Sequence, residues 1–164
     1  MRKVRLQTGF TLIEVIIVIA LIAIAVAIAA PNLLAVMPNM RVKAAARDCA
    51  SVIQDARMQA VALNANCAVS CDVTIGGVTY DFVAHADPNG DLEYNDGERV
   101  FSRLRLADFP DVAITGGKTN LGFNSRGLPV VVGGGLIDQT IGFRSSKGLV
   151  RQVRVNPTGN VRIQ

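Results

Sequence analysis

The sequence has no tryptophan and few other aromatics, which together make up 5% of its 164 residues. Few rings leave few platforms on which unpaired bases stack. There is one histidine, His85, and there are three cysteines, Cys49, Cys67 and Cys71. Three cysteines without a histidine cluster do not make a structural zinc site. No serine or cysteine stands beside His85 in the sequence, and no carboxylate pair falls in an apolar stretch. Nothing therefore points to acid–base or nucleophilic catalysis, and no cofactor is expected. Charge is also missing from residues 15–30, where every side chain is apolar. Half of all residues are hydrophobic, and this block is where the aliphatic excess sits.

As a helix, residues 10–30 would span about 31 Å, close to the ~30 Å hydrocarbon core of a bilayer. Arg2, Lys3 and Arg5 precede the block and predict a cytoplasmic N-terminus. A cleaved secretory signal would have a shorter apolar region followed by small residues, and Ala-rich positions near residue 30 keep that alternative open. Glu14 argues against it. A carboxylate in an apolar span costs roughly 2.5–3.5 kcal/mol on insertion scales, so it has either a partner or a route to the interface. Cleavage between Gly9 and Phe10 would supply a partner, a free amino group on Phe10.

The run Gly9-Phe10-Thr11-Leu12-Ile13-Glu14, behind a basic leader and ahead of an aliphatic helix, resembles the prepilin-peptidase site of type IV pilins and pseudopilins. The resemblance implies cleavage after Gly9, methylation of Phe10, and pairing of Glu14 with a neighbouring subunit's terminal amine during assembly. It also implies a helix kink at Pro31. The implied partners are other pilins or pseudopilins, the prepilin peptidase and the inner membrane. The domain beyond the membrane is then periplasmic, in a subunit that enters a periplasmic or surface filament.

Beyond Pro38 the periodicity is amphipathic. Ala45, Cys49, Val52, Ile53, Ala56, Ala60 and Leu63 share one face of a 3.6-residue repeat, opposite Lys43, Arg47, Ser51 and Gln54. After Asn64 the period falls to two. Strands are predicted over 68–75, 78–84, 99–106, 112–114, 121–123, 129–132, 140–143, 149–155 and 161–163, with a tight hairpin at Gly76-Gly77. Residues 133–135, all glycine, read as a flexible loop without the context of a phosphate loop. The division expected is a leader over 1–9, a transmembrane assembly helix over 10–30, an amphipathic stalk over 31–65 and a β-rich domain over 66–164. The fold class expected is α+β, a pilin-like long helix packed on one antiparallel sheet. Leu121-Gly122-Phe123-Asn124-Ser125-Arg126-Gly127, Thr140-Ile141-Gly142-Phe143 and Val150-Arg151-Gln152-Val153-Arg154-Val155 are similar to the GspH/FimT branch of the same superfamily.

Three further features invite ligands. The run 87–98 places Asp87, Asn89, Asp91, Glu93 and Glu98 at calcium-loop spacing, but its sixth position is Leu92 rather than glycine, so a solvated loop is the competing reading. In an oxidising compartment one disulfide is expected, joining Cys67 to Cys71 across a short turn or Cys49 to Cys67. The charge is asymmetric, with nine acids against three bases over 72–111 and seven bases against one acid over 118–162. Arg144, Lys147, Arg151, Arg154 and Arg162 make the C-terminal half basic. FimT-type pilins bind DNA through a Gly-Arg-x-Arg element, and Gly159-Asn160-Val161-Arg162 matches it except at Asn160. That stretch and its neighbours are candidates for DNA or for the acidic region of an adjoining subunit. Arg151 and Arg154 differ in strand parity and belong to opposite faces. The sequence leaves open whether a type IV pilus or a type II secretion filament is served.

Overall fold

The computed structural model describes residues 10–131 and 138–164, with the side chains of 29–34 outside the description. The leader with Gly9, the side chain of Pro31 and the triglycine loop at 133–135 therefore lie outside the described residues. Contacts divide the chain into two compact units, one ending at Met37 and one running from Pro38 to Gln164.

Helix α1 spans Leu12–Leu63. Thr11 begins it, its hydroxyl accepting the backbone N–H of Glu14 at 3.3 Å. That Thr-x-x-Glu spacing is one half of a capping box. The helix ends at Asn64, which takes the left-handed conformation at φ 49°. The N–H of Asn64 donates to Val61 and that of Ala65 to Ala60, the paired closing bonds of a Schellman motif. In the first unit Phe10, Leu12, Ile13 and the aliphatic residues through Ile28 are all exposed. Among the described residues no helix is long and apolar enough to cross a membrane; the described side chains of the apolar run stop at Ile28.

The second unit buries the amphipathic face of α1. Val42, Ala45, Ala46, Cys49, Ile53, Ala56 and Ala60 are fully buried there, and the run of alanines lets the strands approach the helix backbone. Nine strands follow: β1 Cys67–Ile75, β2 Val78–Ala86, β3 Val100–Leu104, β4 Val112–Gly116, β5 Leu121–Phe123, β6 Pro129–Val130, β7 Gln139–Ser145, β8 Val150–Val155 and β9 Val161–Ile163. They form two sheets rather than the single one expected, ordered β3-β2-β1-β5-β6 and β4-β7-β8-β9. The chain changes sheet three times, because β4 pairs with β7 whereas β5 and β6 return to the sheet of β1. Every pairing is antiparallel, so the fold class is α+β as expected.

Both sheets contribute to one core with α1. Phe82 and Phe123 come from the first sheet, and Ile141, Phe143, Val153 and Val155 from the second. Burying a side chain of this size contributes about 1.5–3 kcal/mol. Gly76 and Gly77, both at positive φ, make the hairpin that pairs Ile75 with Val78. That turn sets the register of the whole β1–β2 ladder. The outer face of this ladder is covered by the 87–98 loop, whose Leu92 is buried against Gly122. A Cβ at Gly122 would stand 2.4 Å from the Leu92 side chain, so close passage of the loop depends on glycine there.

Candidate functional site

The N-terminal unit presents Phe10, 84% exposed, and Glu14 on an otherwise apolar surface. A shallow cavity of about 260 Å³ is bounded by Phe10, Glu14, Val15, Val18 and Ile19. Glu14 therefore has two uses available to it. Its backbone belongs to the cap of α1, while its side chain is the sole carboxylate beside a run of exposed aliphatic residues. The capping role was readable from Thr11 three positions earlier, a signal that the assembly reading of Glu14 passes over.

The acidic loop is built inward. Asp87 is fully buried, and its carboxylate accepts the N–H groups of Gly90 and Leu92 at 2.9 and 3.3 Å. Asp91 accepts the N–H of Glu93 at 2.9 Å and the amides of Asn89 and Asn95. The Glu93 N–H, and then the Asn95 amide, hold the Asp91 carboxyl below the usual carboxylate range. Glu98 accepts the N–H of Asn95 at 3.0 Å. These are the residues of the calcium reading, Asp87, Asn89, Asp91, Glu93 and Glu98. Asp87, Asp91 and Glu98 give oxygens to the loop's own donors, and among the described residues no three His, Cys, Asp or Glu side chains are grouped as metal ligands.

Glu98 also lies 2.9 Å from Nδ1 of His85, whose Nε2 is 2.7 Å from the Ser70 hydroxyl. Sequence reasoning placed no serine beside this histidine, and the structure corrects it. Ser70 and His85 are both buried, and Tyr94 meets the imidazole edge-on at 5.5 Å. The order Ser–His–Glu resembles a nucleophilic relay, but the Ser70 hydroxyl donates to the Leu92 carbonyl at 3.0 Å. Nδ1 faces two acceptors, the Ala86 carbonyl and Glu98. The chain of contacts runs from Glu98 through His85 and Ser70 to Leu92, and it ties the middle and the far end of the loop to the sheet.

Cys67 and Cys71 lie on one strand, β1, with no turn between them. At about 3.3 Å per residue, positions four apart on a strand are separated by about 13 Å, beyond the span of a disulfide. All three cysteines are free thiols. Burial pushes the Cys67 thiol up to about 11 and Cys71 up to about 12, and it raises Cys49 still further.

The basic residues separate as parity requires. Arg154 on β8 stands opposite Arg162 on β9 and faces outward, and Arg144 on β7 is also exposed. Arg154 is not a free cation, since its Nε donates to Asp138 at 2.8 Å, which holds that carboxyl low. A cavity of about 240 Å³ is lined by Arg154, Asn156, Asn160, Arg162 and Gln164. Arg151 lies on the other face, where it joins Lys43 and Arg47 of α1. Lys147 stands exposed in the β7–β8 turn. Gly159, at φ 77°, packs so near Gly127 that an added Cβ would meet its carbonyl at 2.4 Å. Arg57 donates to that same carbonyl at 3.0 Å, so Gly159 has a structural reason to be glycine apart from any ligand.

The described residues are an α+β domain and an exposed, aliphatic helix that bears one carboxylate. The type II transport protein GspH model matches residues 45–159, and the prokaryotic N-terminal methylation motif matches residues 4–30. The chain belongs to the GspH family, the GspH/FimT type within the type IV pilin superfamily. No curated protein matches the chain. Among solved structures, the type IV minor pilin FimU of Pseudomonas aeruginosa is similar at 14% identity and a TM-score of 0.48, covering 77% of this chain and 90% of that one.

Proposed function

We propose that this protein is a minor pilin or pseudopilin, a structural subunit that enters a filament of the type IV pilus or type II secretion class through its N-terminal helix. The observation that carries the reading is the first unit itself, where aliphatic side chains are exposed through Ile28 around a single carboxylate at Glu14. At roughly 25 cal/mol per Å², so much apolar surface is strongly driven out of water. A bilayer covers it before assembly and like helices cover it afterwards. The uncharged run 15–30 and the basic leader support a cytoplasmic N-terminus, with the 38–164 unit in the periplasm. Prepilin peptidase cuts between Gly9 and Phe10 and methylates Phe10. Glu14 then neutralises the terminal amine of an adjoining subunit.

Glu14→Ala tests the assembly step. Membrane fractionation should show the variant inserted as in the wild type, with mass spectrometry finding methylated Phe10. Its recovery in sheared filaments should fall at least tenfold. Normal incorporation of the variant would remove the pairing mechanism, and an intact leader on the mature wild-type chain would remove the pilin reading altogether.

A further inference from the structure

We propose that Lys43, Arg47 and Arg151 form a binding site for the phosphate of an anionic phospholipid. The three line one cavity of about 270 Å³ together with Ile163, between α1 and the β8–β9 edge. No carboxylate lines it. Among the described residues none of the three belongs to an ion pair, and the polar contact made by Arg151 is to the carbonyl of its neighbour Val150 at 3.3 Å. Most other cations of this unit are engaged. Arg41 pairs with Asp111, Arg105 with Asp108, Lys118 with Asp72 and Asp81, and Arg154 with Asp138. Arg99 and Arg103 lie over the rings of Phe101 and Tyr80.

Three like charges around one opening repel one another, and a single oxyanion relieves that repulsion while accepting hydrogen bonds from two guanidinium groups. A tetrahedral phosphate offers the acceptors those forks need. The lipid source follows from the order of charges in the chain. After Glu14 no charged residue occurs until Arg41, and Arg41, Lys43 and Arg47 are the next three charged positions, all basic. The first basic side chains after an uncharged run, with long apolar stems, are suited to reach an anionic headgroup. Arg151 comes from a distant strand, so the site recognises a headgroup only when the domain is folded.

The choice of lipid rests on the membrane reading, and the test separates the two. The full chain in neutral detergent micelles is titrated with short-chain phosphatidylglycerol, phosphatidylcholine, inorganic phosphate and duplex DNA. Phosphatidylglycerol should bind at least tenfold more tightly than phosphatidylcholine, whose phosphate is offset by choline, and the binding should weaken with added salt. Arg47→Gln with Arg151→Gln should abolish that preference, Lys43→Gln alone should reduce it, and Arg144→Gln should leave it intact. Circular dichroism and thermal unfolding matched to the wild type exclude misfolding as the cause. Glu14→Ala should retain lipid selectivity, so a failure of filament assembly is told apart from a failure of this site. Equal binding of the two lipids, or binding indifferent to these substitutions, overturns the proposal. So does inorganic phosphate binding as tightly as the lipid, or DNA binding through the same three side chains.

Discussion

His85 shows how much a single buried polar residue commits. It is fully buried, with Glu98 on one nitrogen and Ser70 on the other. Removing it takes one partner from a carboxylate and one from a buried hydroxyl beneath the 87–98 loop. His85→Leu, which removes both ring hydrogen bonds at once, should therefore destabilise the fold by about 2–5 kcal/mol. Ser70→Ala, which removes one hydroxyl and leaves the His85–Glu98 contact, should cost only about 1–2 kcal/mol. Equilibrium denaturation of both variants measures the difference, and similar small losses in the two would remove the tethering role. The constellation was within reach of the sequence. The Gly76-Gly77 turn pairs Ile75 with Val78, and counting back along that ladder puts Ala68 opposite His85, with Ser70 on the same face. What the sequence does not disclose is that Glu98 returns from across the loop to meet the ring.

At the scale of elements, the two ends of α1 illustrate opposite degrees of legibility. Its amphipathic face from Ala45 to Ala60 was plain from a 3.6-residue repeat and is the buried face. The strands were also legible, most within two residues at either end. The partition into two sheets was not, because alternation reports which face is buried and not which strand is the neighbour. The N-terminal cap yields a discriminating experiment. Thr11→Ala removes the hydroxyl that accepts the Glu14 N–H and should cost the helix about 0.5–2 kcal/mol. It leaves the Glu14 carboxylate in place. Circular dichroism should show fraying while filament incorporation persists, unlike Glu14→Ala. Equal loss of incorporation in both variants would mean that capping, rather than amine pairing, is what Glu14 supplies.

The molecule as a whole has three thiols that report on global opening. Cys49 and Cys67 are buried and Cys71 is half-buried, and burial raises all three above the ordinary thiol value of 9.0. A raised folded value means that the unfolded chain ionises first. Stability is then full below pH ~9 and declines as pH rises from there through about 11 and 12. At pH 8 iodoacetamide should leave the native protein unmodified over an hour and label all three positions after denaturation. Rapid labelling of native Cys49 would show that the core opens far more readily than its packing implies. The cysteines also mark a limit of sequence reading, since spacing alone suggested a turn where β1 runs straight through.

The first unit carries one further consequence. A rod that is aliphatic on every exposed side carries almost no angular information, because any covering surface meets nearly the same chemistry at each rotation. Among its described side chains Glu14 is the one charged landmark, and a single landmark fixes height more readily than identity. Discrimination among possible neighbours must then be encoded in the 38–164 unit, in features as particular as the Asp138–Arg154 pair, the loop over β1 and β2, and the cationic cleft beside α1. Exchanging first units between related subunits should preserve each subunit's place in a filament, and exchanging the second units should reassign it.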